Sequence, residues 1–487
     1  MRDIVVSVLF VIGSVELCTV SCSTLEEGIM YNPQELFFSE RTRRNVRVML
    51  TLLLSVCVVL TTLVLMLVNV PMLRQWVVRV ATERINAALE AQFVFDDFRG
   101  SLLSDITLTN VRLTTVGDTL LTVRELTLRY DIQMLLVKRI VLRAVRLVEP
   151  RIFVWRSLDS SWSIAHVLKP MPPQQVQKPF SWIVTVRECS IQNGSCRIVD
   201  SLQMQQDAIH TAGYQRLNLA RIFIDTLNLG VSIQYNPKQR ATALSMYQCS
   251  LREETTGIEV RKLSCFVHAD AGRIEIPHMT LQTAESCMRL RMRIDHWNIM
   301  HSLTVSEPDS MRKHIEQAYV ECTLRSDSLS IAEVRRCTPA VDMLGGKLSI
   351  RCDVYGSAQK LVAKRLEIQG CAEEEGKPSP TLLSLEGEIQ NVLHHNALAY
   401  TATIYPSRIS SADVRRYFPG MQVPYLHNLG VVTIERGKVN GTAYAIQGLL
   451  HVASTAAGKI QTEYSVSWRD TLRYTAQVAT QALNLAA

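Results

Sequence analysis

Residues 227–235 read Leu-Asn-Leu-Gly-Val-Ser-Ile-Gln-Tyr. Leu227, Leu229, Val231, Ile233 and Tyr235 alternate with Asn228, Gly230, Ser232 and Gln234. A period of two puts the apolar side chains on one face of a strand and the polar ones on the other. The same alternation holds for Ile106 and Leu108 against Thr107 and Thr109, and for Leu126, Leu128, Tyr130 and Ile132 against Thr127, Arg129 and Asp131. It returns at Leu263–Cys265–Val267, Val320–Cys322–Leu324 and Leu348–Ile350–Cys352–Val354. Turn signals fall between such runs: Gly117-Asp118, Asn193-Gly194, Gly345-Gly346 and the stretch EEEGKPSP from Glu373 to Pro380. Many short strands at close intervals predict a mainly β fold with antiparallel pairing.

Little of the chain competes with that reading. Pro71 can open a helix, and Leu73, Trp76, Val77 and Val80 then recur at helical spacing, with Arg74, Arg79 and Arg84 on the other side. This predicts an amphipathic helix to about Leu89, lying at a membrane interface or capping the sheet. Ile315 to Leu324 and Ala412 to Tyr417 are candidates for short helices. The segment KPMPPQQVQKP, Lys169 to Pro179, is the clearest linker. A one-sided sheet must hide its apolar face. With one linker in so long a region, a single sheet curled into an elongated groove is expected, rather than a string of sandwiches. The candidate groove-lining residues are Ile106, Leu108, Leu126, Leu128, Leu227, Leu229, Val231, Ile233, Leu348 and Ile350.

From Val48 to Val70 the chain runs VMLTLLLSVCVVLTTLVLMLVNV without a charge. About 20 apolar residues cross a bilayer core, so this predicts a single membrane anchor, marked by Val48, Leu54, Leu60, Leu65 and Val70. Arg41, Arg43, Arg44 and Arg47 crowd its N-terminal flank, which favours a cytoplasmic N-terminus and an exported body. Ile4 to Val15 resembles a signal-peptide h-region, and Thr19-Val20-Ser21-Cys22 loosely resembles a lipoprotein box. Alternatively, translation starts nearer Arg41. The expected divisions are residues 1–45 as an N-terminal extension, 46–70 as anchor, 71–92 as amphipathic helix, 93–170 as a first β module, and 171–487 as a continuing β-groove, truncated relative to longer chains.

An ordered series of pieces follows the anchor. It begins with PMLRQWVVRVATERINAALEAQF, then Phe98-Arg99-Gly100-Ser101-Leu102, Ile106 to Leu113 (ITLTNVRL) and Gly117 to Leu121. Leu126 to Asp131 (LTLRYD), Arg139 to Pro150 (RIVLRAVRLVEP), Trp162-Ser163-Ile164 and Leu168-Lys169-Pro170 come next, and Ile191 to Asp200 also fits. In this order the pieces resemble the N-terminal part of TamB and AsmA-like envelope proteins, over about Arg44 to Tyr235. The resemblance implies a single-pass inner-membrane protein with a periplasmic groove of the β-taco type. It implies phospholipid acyl chains as cargo between inner and outer membranes, or a scaffold or chaperone role in outer-membrane protein assembly with a BamA-like partner.

Catalytic chemistry finds little support in the residues. Net charge is +7 with scattered basic residues, which argues against nucleic acid. Nine of the twelve cysteines follow the anchor, without a CxxC pair. Cys265, Cys322 and Cys352 occupy apolar positions, where cysteine packs as a small hydrophobe. Cys189 and Cys196 flank the expected Asn193-Gly194 hairpin turn in positions poorly placed for a disulfide. His394-His395 is the one histidine pair, Gly345-Gly346-Lys347 lacks phosphate-loop spacing, and Glu253-Glu254 would point to opposite faces of a strand. We expect no catalytic residue, cofactor or metal, and place an envelope hydrolase behind the lipid-carrier and scaffold readings.

Overall fold

The computed structural model describes residues 48–59, 62, 71–101, 104–115, 118–156, 162–167, 169, 182–201, 216–218, 220–237, 239, 241–297, 315–338, 341–371, 378–419, 430–454, 458–469 and 471–481. The chain divides into two units, Met1–Leu73 and Arg74–Ala487. In the first, residues 48–59 are helical, and their large apolar side chains, Leu50, Leu53 and Leu54 among them, are exposed. Among the described residues no helix is long and apolar enough to cross a membrane. Leu60, Leu65 and Val70 lie outside the described residues, as do the signal-like and start-site features before residue 48.

Among the described residues the second unit is built around one large sheet of 22 strands. Helix α1 (Pro71–Ala88) enters it as the 3.6-residue period predicts, with Trp76 exposed to solvent. Asn86 ties the helix to the first strand. Its Nδ2 donates to Phe93 O at 3.1 Å, and the Phe93 N–H donates to its Oδ1 at 2.8 Å. Strands β1 (Gln92–Val94) and β2 (Asp97–Ser101) both pair with β3 (Asp105–Thr114), which pairs with β4 (Thr119–Tyr130). Leu108, Val111 and Val123 are buried here among Phe93, Phe98, Leu126 and Leu147. Leu108 and Val111 share this core although three positions separate them; Asn110, at φ 49°, breaks the alternation between them.

A broken strand follows, β5 (Arg139–Val148) and β6 (Arg151–Arg156), both antiparallel to β4. Both then pair in parallel with β7 (Ile183–Asp200). This corrects the expectation of purely antiparallel pairing. Parallel neighbours need a crossover of a dozen residues or more, and the Pro-rich segment lies within that crossover. Its residues, except Lys169, are outside the described ones. The sheet thus continues across the boundary expected near residue 170.

From β7 the sheet is an antiparallel meander. It runs through β8 (Arg221–Asn236), β9 (Ala241–Glu253), β10 (Glu259–Ala269), β11 (Arg273–Thr283), β12 (Cys287–Asp295) and β13 (Tyr319–Ser330). Helix α2 (Ile331–Cys337) links β13 to β14 (Lys347–Ser357), followed by β15 (Lys360–Cys371) and β16 (Pro378–Gln390). A second broken strand, β17 (Ala399–Ile404) and β18 (Ser407–Ser410), leads through helix α3 (Ser411–Tyr417) to β19 (Val431–Thr442). The meander closes with β20 (Ala445–Ser454), β21 (Gly458–Ser467) and β22 (Arg473–Gln481).

Two further expectations need correction. Asn193-Gly194 is not a hairpin turn: β7 runs straight through it, and the pairing with β8 shifts register on both sides of Gly194. Asn193 sits at φ 52°, and its N–H donates to Asn228 Oδ1 at 3.0 Å. The dipeptide supplies a left-handed residue, which a β-bulge requires as much as a turn does. Ile315 to Leu324 is not a helix either; only residues 315–317 are helical, and β13 takes over at Tyr319. The expected helix at Ala412 to Tyr417 is present as α3.

Candidate functional site

Directly opposed residues on neighbouring strands share a face, so the register traces what each face offers. Starting at Ile106, the partners are Leu128, Val145, Cys189, Val231, Met246, Cys265 and Met279. From Met279 the row continues through Leu290, Leu324, Cys352, Leu366, Leu385, Ile404, Gly437 and Leu450. This single row crosses from β3 to β20 without a polar side chain. At ~4.8 Å per strand it is roughly 70 Å long. Gly437 is its one missing side chain, and a Cβ there would lie 2.6 Å from Leu450 Cδ2, so Leu450 already occupies the space.

Parallel rows flank it. Leu108, Leu126, Leu147, Ile191, Leu229 and Cys249 oppose one another in turn. On the other side lie Leu142, Val186, Ile233 and Leu244, and farther along Ile276, Met292, Cys322, Val354 and Ala363. Ile350 opposes Ile368, and Leu348 opposes Leu329. All ten candidate groove-lining residues therefore share one face, Leu227 two positions from Leu229 in β8 and opposite Gly194. The alternation missed Val145, Met246, Met279, Leu290, Leu366 and Leu385, which stand in the same rows. Most of these side chains are only half-buried, because each strand packs mainly against its sheet neighbours.

Five cysteines, Cys189, Cys249, Cys265, Cys322 and Cys352, stand on this face with Met246, Met279 and Met292. The described residues include ten cysteines, and no disulfide joins any two of them. Burial raises the thiols of Cys189, Cys249, Cys265, Cys322 and Cys352, which favours the neutral, apolar form. Cys189 and Cys196 lie seven residues apart on one strand, so the hairpin geometry first weighed for them does not arise.

The opposite face is charged. Arg289, Arg325 and Arg351 oppose one another on β12, β13 and β14, and Arg289 pairs with Asp327. Beside them an open concavity of about 1110 Å³ is lined by the acids Glu275, Glu321, Asp353 and Glu386 and the bases Arg291, Arg293, Lys364 and Arg365, together with Tyr405. Its cations and carboxylates largely balance. A hydrogen bond with Glu386, and to a lesser extent burial, raises the Tyr405 phenol. His394 sits within 3.4 Å of Glu316, and among the described residues no group of three His, Cys, Asp or Glu could hold a metal ion.

One motif escaped the sequence reading although it is legible there. Leu329-Ser330-Ile331-Ala332-Glu333-Val334-Arg335-Arg336 matches Ile409-Ser410-Ser411-Ala412-Asp413-Val414-Arg415-Arg416. Each copy ends a strand and forms a seven-residue helix. The acids are buried and hydrogen-bonded alike: Thr283 Oγ1 donates to Glu333 Oε2 at 2.6 Å, and Thr381 Oγ1 to Asp413 Oδ2 at 2.5 Å. Each helix start donates to a left-handed glycine, Ile331 N–H to Gly346 O and Ser411 N–H to Gly430 O, both at 3.0 Å. The Gly345 N–H then reaches Tyr417 O at 2.8 Å, joining the two copies. No protein-family model, curated protein or solved structure matches this chain.

Proposed function

We propose that this is a membrane-anchored carrier in which phospholipid acyl chains lie along the apolar face of the sheet. The observation that carries the reading is the unbroken apolar row from Ile106 to Leu450. A row of mostly half-buried apolar residues that no second layer covers among the described residues is costly in water unless an apolar ligand occupies it. Each CH₂ group so covered contributes ~0.8 kcal/mol. An acyl chain about half a bilayer core in length, ~15 Å, would contact some three strands at a time, through contacts that are individually weak. Such a ligand can slide along the row. In this reading the Val48 to Val70 run is a single-pass inner-membrane anchor, and the sheet curls in the periplasm into a groove leading towards the outer membrane.

The test is lipid occupancy. Full-length protein purified from a diderm host should carry phospholipid detectable by mass spectrometry. Leu290→Asp and Leu324→Asp, at half-buried row positions, should remove it, while Arg325→Glu on the opposite face should not; circular dichroism checks that the sheet persists. Absence of phospholipid from the wild type, or its retention in both Asp variants, defeats the reading.

A second reading rests on β22. Every residue of this strand is exposed, and its outer edge has no partner among the described residues. A free edge accepts a client strand by β-augmentation, as a scaffold for outer-membrane protein assembly with a BamA-like partner would require. Photocrosslinks from β22 to outer-membrane proteins, undisturbed by Leu290→Asp, would favour it.

A further inference from the structure

Between β4 and β5 the chain makes a 3₁₀ turn, Ile132–Val137, in which no residue is buried. Leu136 is 88% exposed and Val137 62%, with Ile132 and Leu135 exposed beside them. Antiparallel neighbours need only a two-residue connection, so this apolar turn is longer than the pairing of β4 with β5 requires. It is also held in place. Lys138 closes it at φ 56°, with its N–H donating to Leu135 O at 3.1 Å, and Ile183 N–H donates to Lys138 O at 3.3 Å. At its base, Arg143 is neutralised by Asp131 at 2.8 Å, whereas Lys138 and Arg139 are exposed.

We infer that this turn inserts its apolar tip into a lipid bilayer, with Lys138 and Arg139 against anionic headgroups. The inference rests on the membrane attachment proposed above. An apolar tip with a cationic collar is the pattern of interfacial insertion. Four side chains are too small a patch for the core of a stable protein interface, which buries about 800 Å² on each side. A bilayer needs no such area, because the anchor run would already hold the chain near the membrane.

The test uses full-length protein reconstituted in phosphatidylcholine–phosphatidylglycerol vesicles containing a phospholipid with a diazirine in its acyl chain. Trypsin releases the turn as one peptide, Tyr130 to Lys138. Wild type should carry acyl adducts on that peptide. The double substitution Leu136→Asp and Val137→Asp should lower them at least tenfold, and Arg139→Glu should lower them more in anionic than in zwitterionic vesicles. Because the turn is exposed, these variants should keep the wild-type circular dichroism. Adducts on peptides of the apolar rows with none on Tyr130 to Lys138, or adducts there that the double substitution leaves unchanged, overturn the inference but leave the carrier reading standing. No adducts on either region overturn both.

Discussion

Thr283 donates its hydroxyl to the Glu333 carboxylate at 2.6 Å across fifty residues of chain, and so fastens helix α2 to the end of β11. The same carboxylate accepts the Ser286 hydroxyl at 2.5 Å and the Glu285 N–H at 3.2 Å. One buried acid thus gathers three donors from the β11–β12 turn, and Asp413 does related work beneath α3.

Glu333→Ala should therefore destabilise the protein strongly. Hydrogen bonds to a charged group contribute ~1.5–3 kcal/mol, and the stranded donors add to the loss. We expect a fall of about 2–4 kcal/mol in urea unfolding, and a fall of the same sign for Asp413→Ala, whose carboxylate accepts the Thr381 hydroxyl. Equal, negligible losses would show that the repeat is not a structural clamp.

The bulge in β7 gives a second expectation. Asn193 holds a left-handed conformation that a β-branched residue adopts only with strain. Asn193→Val should cost about 1–3 kcal/mol, whereas Asn193→Gly should be nearly neutral. Gly194 has a different constraint: a Cβ there would lie 2.8 Å from Ile191 Cγ2 and 3.0 Å from Pro150 Cγ. Gly194→Val should lower the thermal midpoint, and a gain in stability would contradict the packing described.

These residues also show how far the sequence could be read. Period-two alternation located the strands at Leu227 to Tyr235 and Leu348 to Val354, because a strand with one apolar face leaves that trace directly. Asn193-Gly194 was misjudged because a turn and a bulge ask for the same backbone conformation; only the length of β8 opposite decides between them. The parallel pairing of β5 with β7 left no local trace, since it depends on where a crossover returns. The row from Ile106 to Leu450 needed register, which no single strand contains. The paired helices at Glu333 and Asp413 were visible as a repeat but too short for a periodicity argument to register.

Glu253 supplies a pH dependence whose sign is fixed. Burial alone raises its carboxyl, but the Thr256 hydroxyl and N–H at 2.5 and 2.6 Å and the Thr255 N–H at 3.0 Å outweigh that and lower it overall. A carboxyl lowered by folding contributes stability above its unfolded value, near 4.3, and loses it as pH falls through the folded value. Glu253→Gln should therefore be less stable than wild type at pH 7, with the gap closing below about pH 4. Urea midpoints for both proteins at the two pH values measure this; a gap that widens in acid contradicts it.

The cysteines on the apolar row report on whether lipid covers it. Cys265 and Cys352 are half-buried within the row, while Cys337 is exposed at the end of α2. Burial raises the Cys265 and Cys352 thiols, so both should react slowly with iodoacetamide at pH 8, where the thiolate is the nucleophile. Bound acyl chains would add a steric barrier at these two residues and not at Cys337. Alkylation rates at Cys265 and Cys352 should therefore fall severalfold in lipid-replete protein relative to delipidated protein, with Cys337 unchanged. Equal rates in both preparations would mean that the row stays open to water, and its apolar character would then need another occupant.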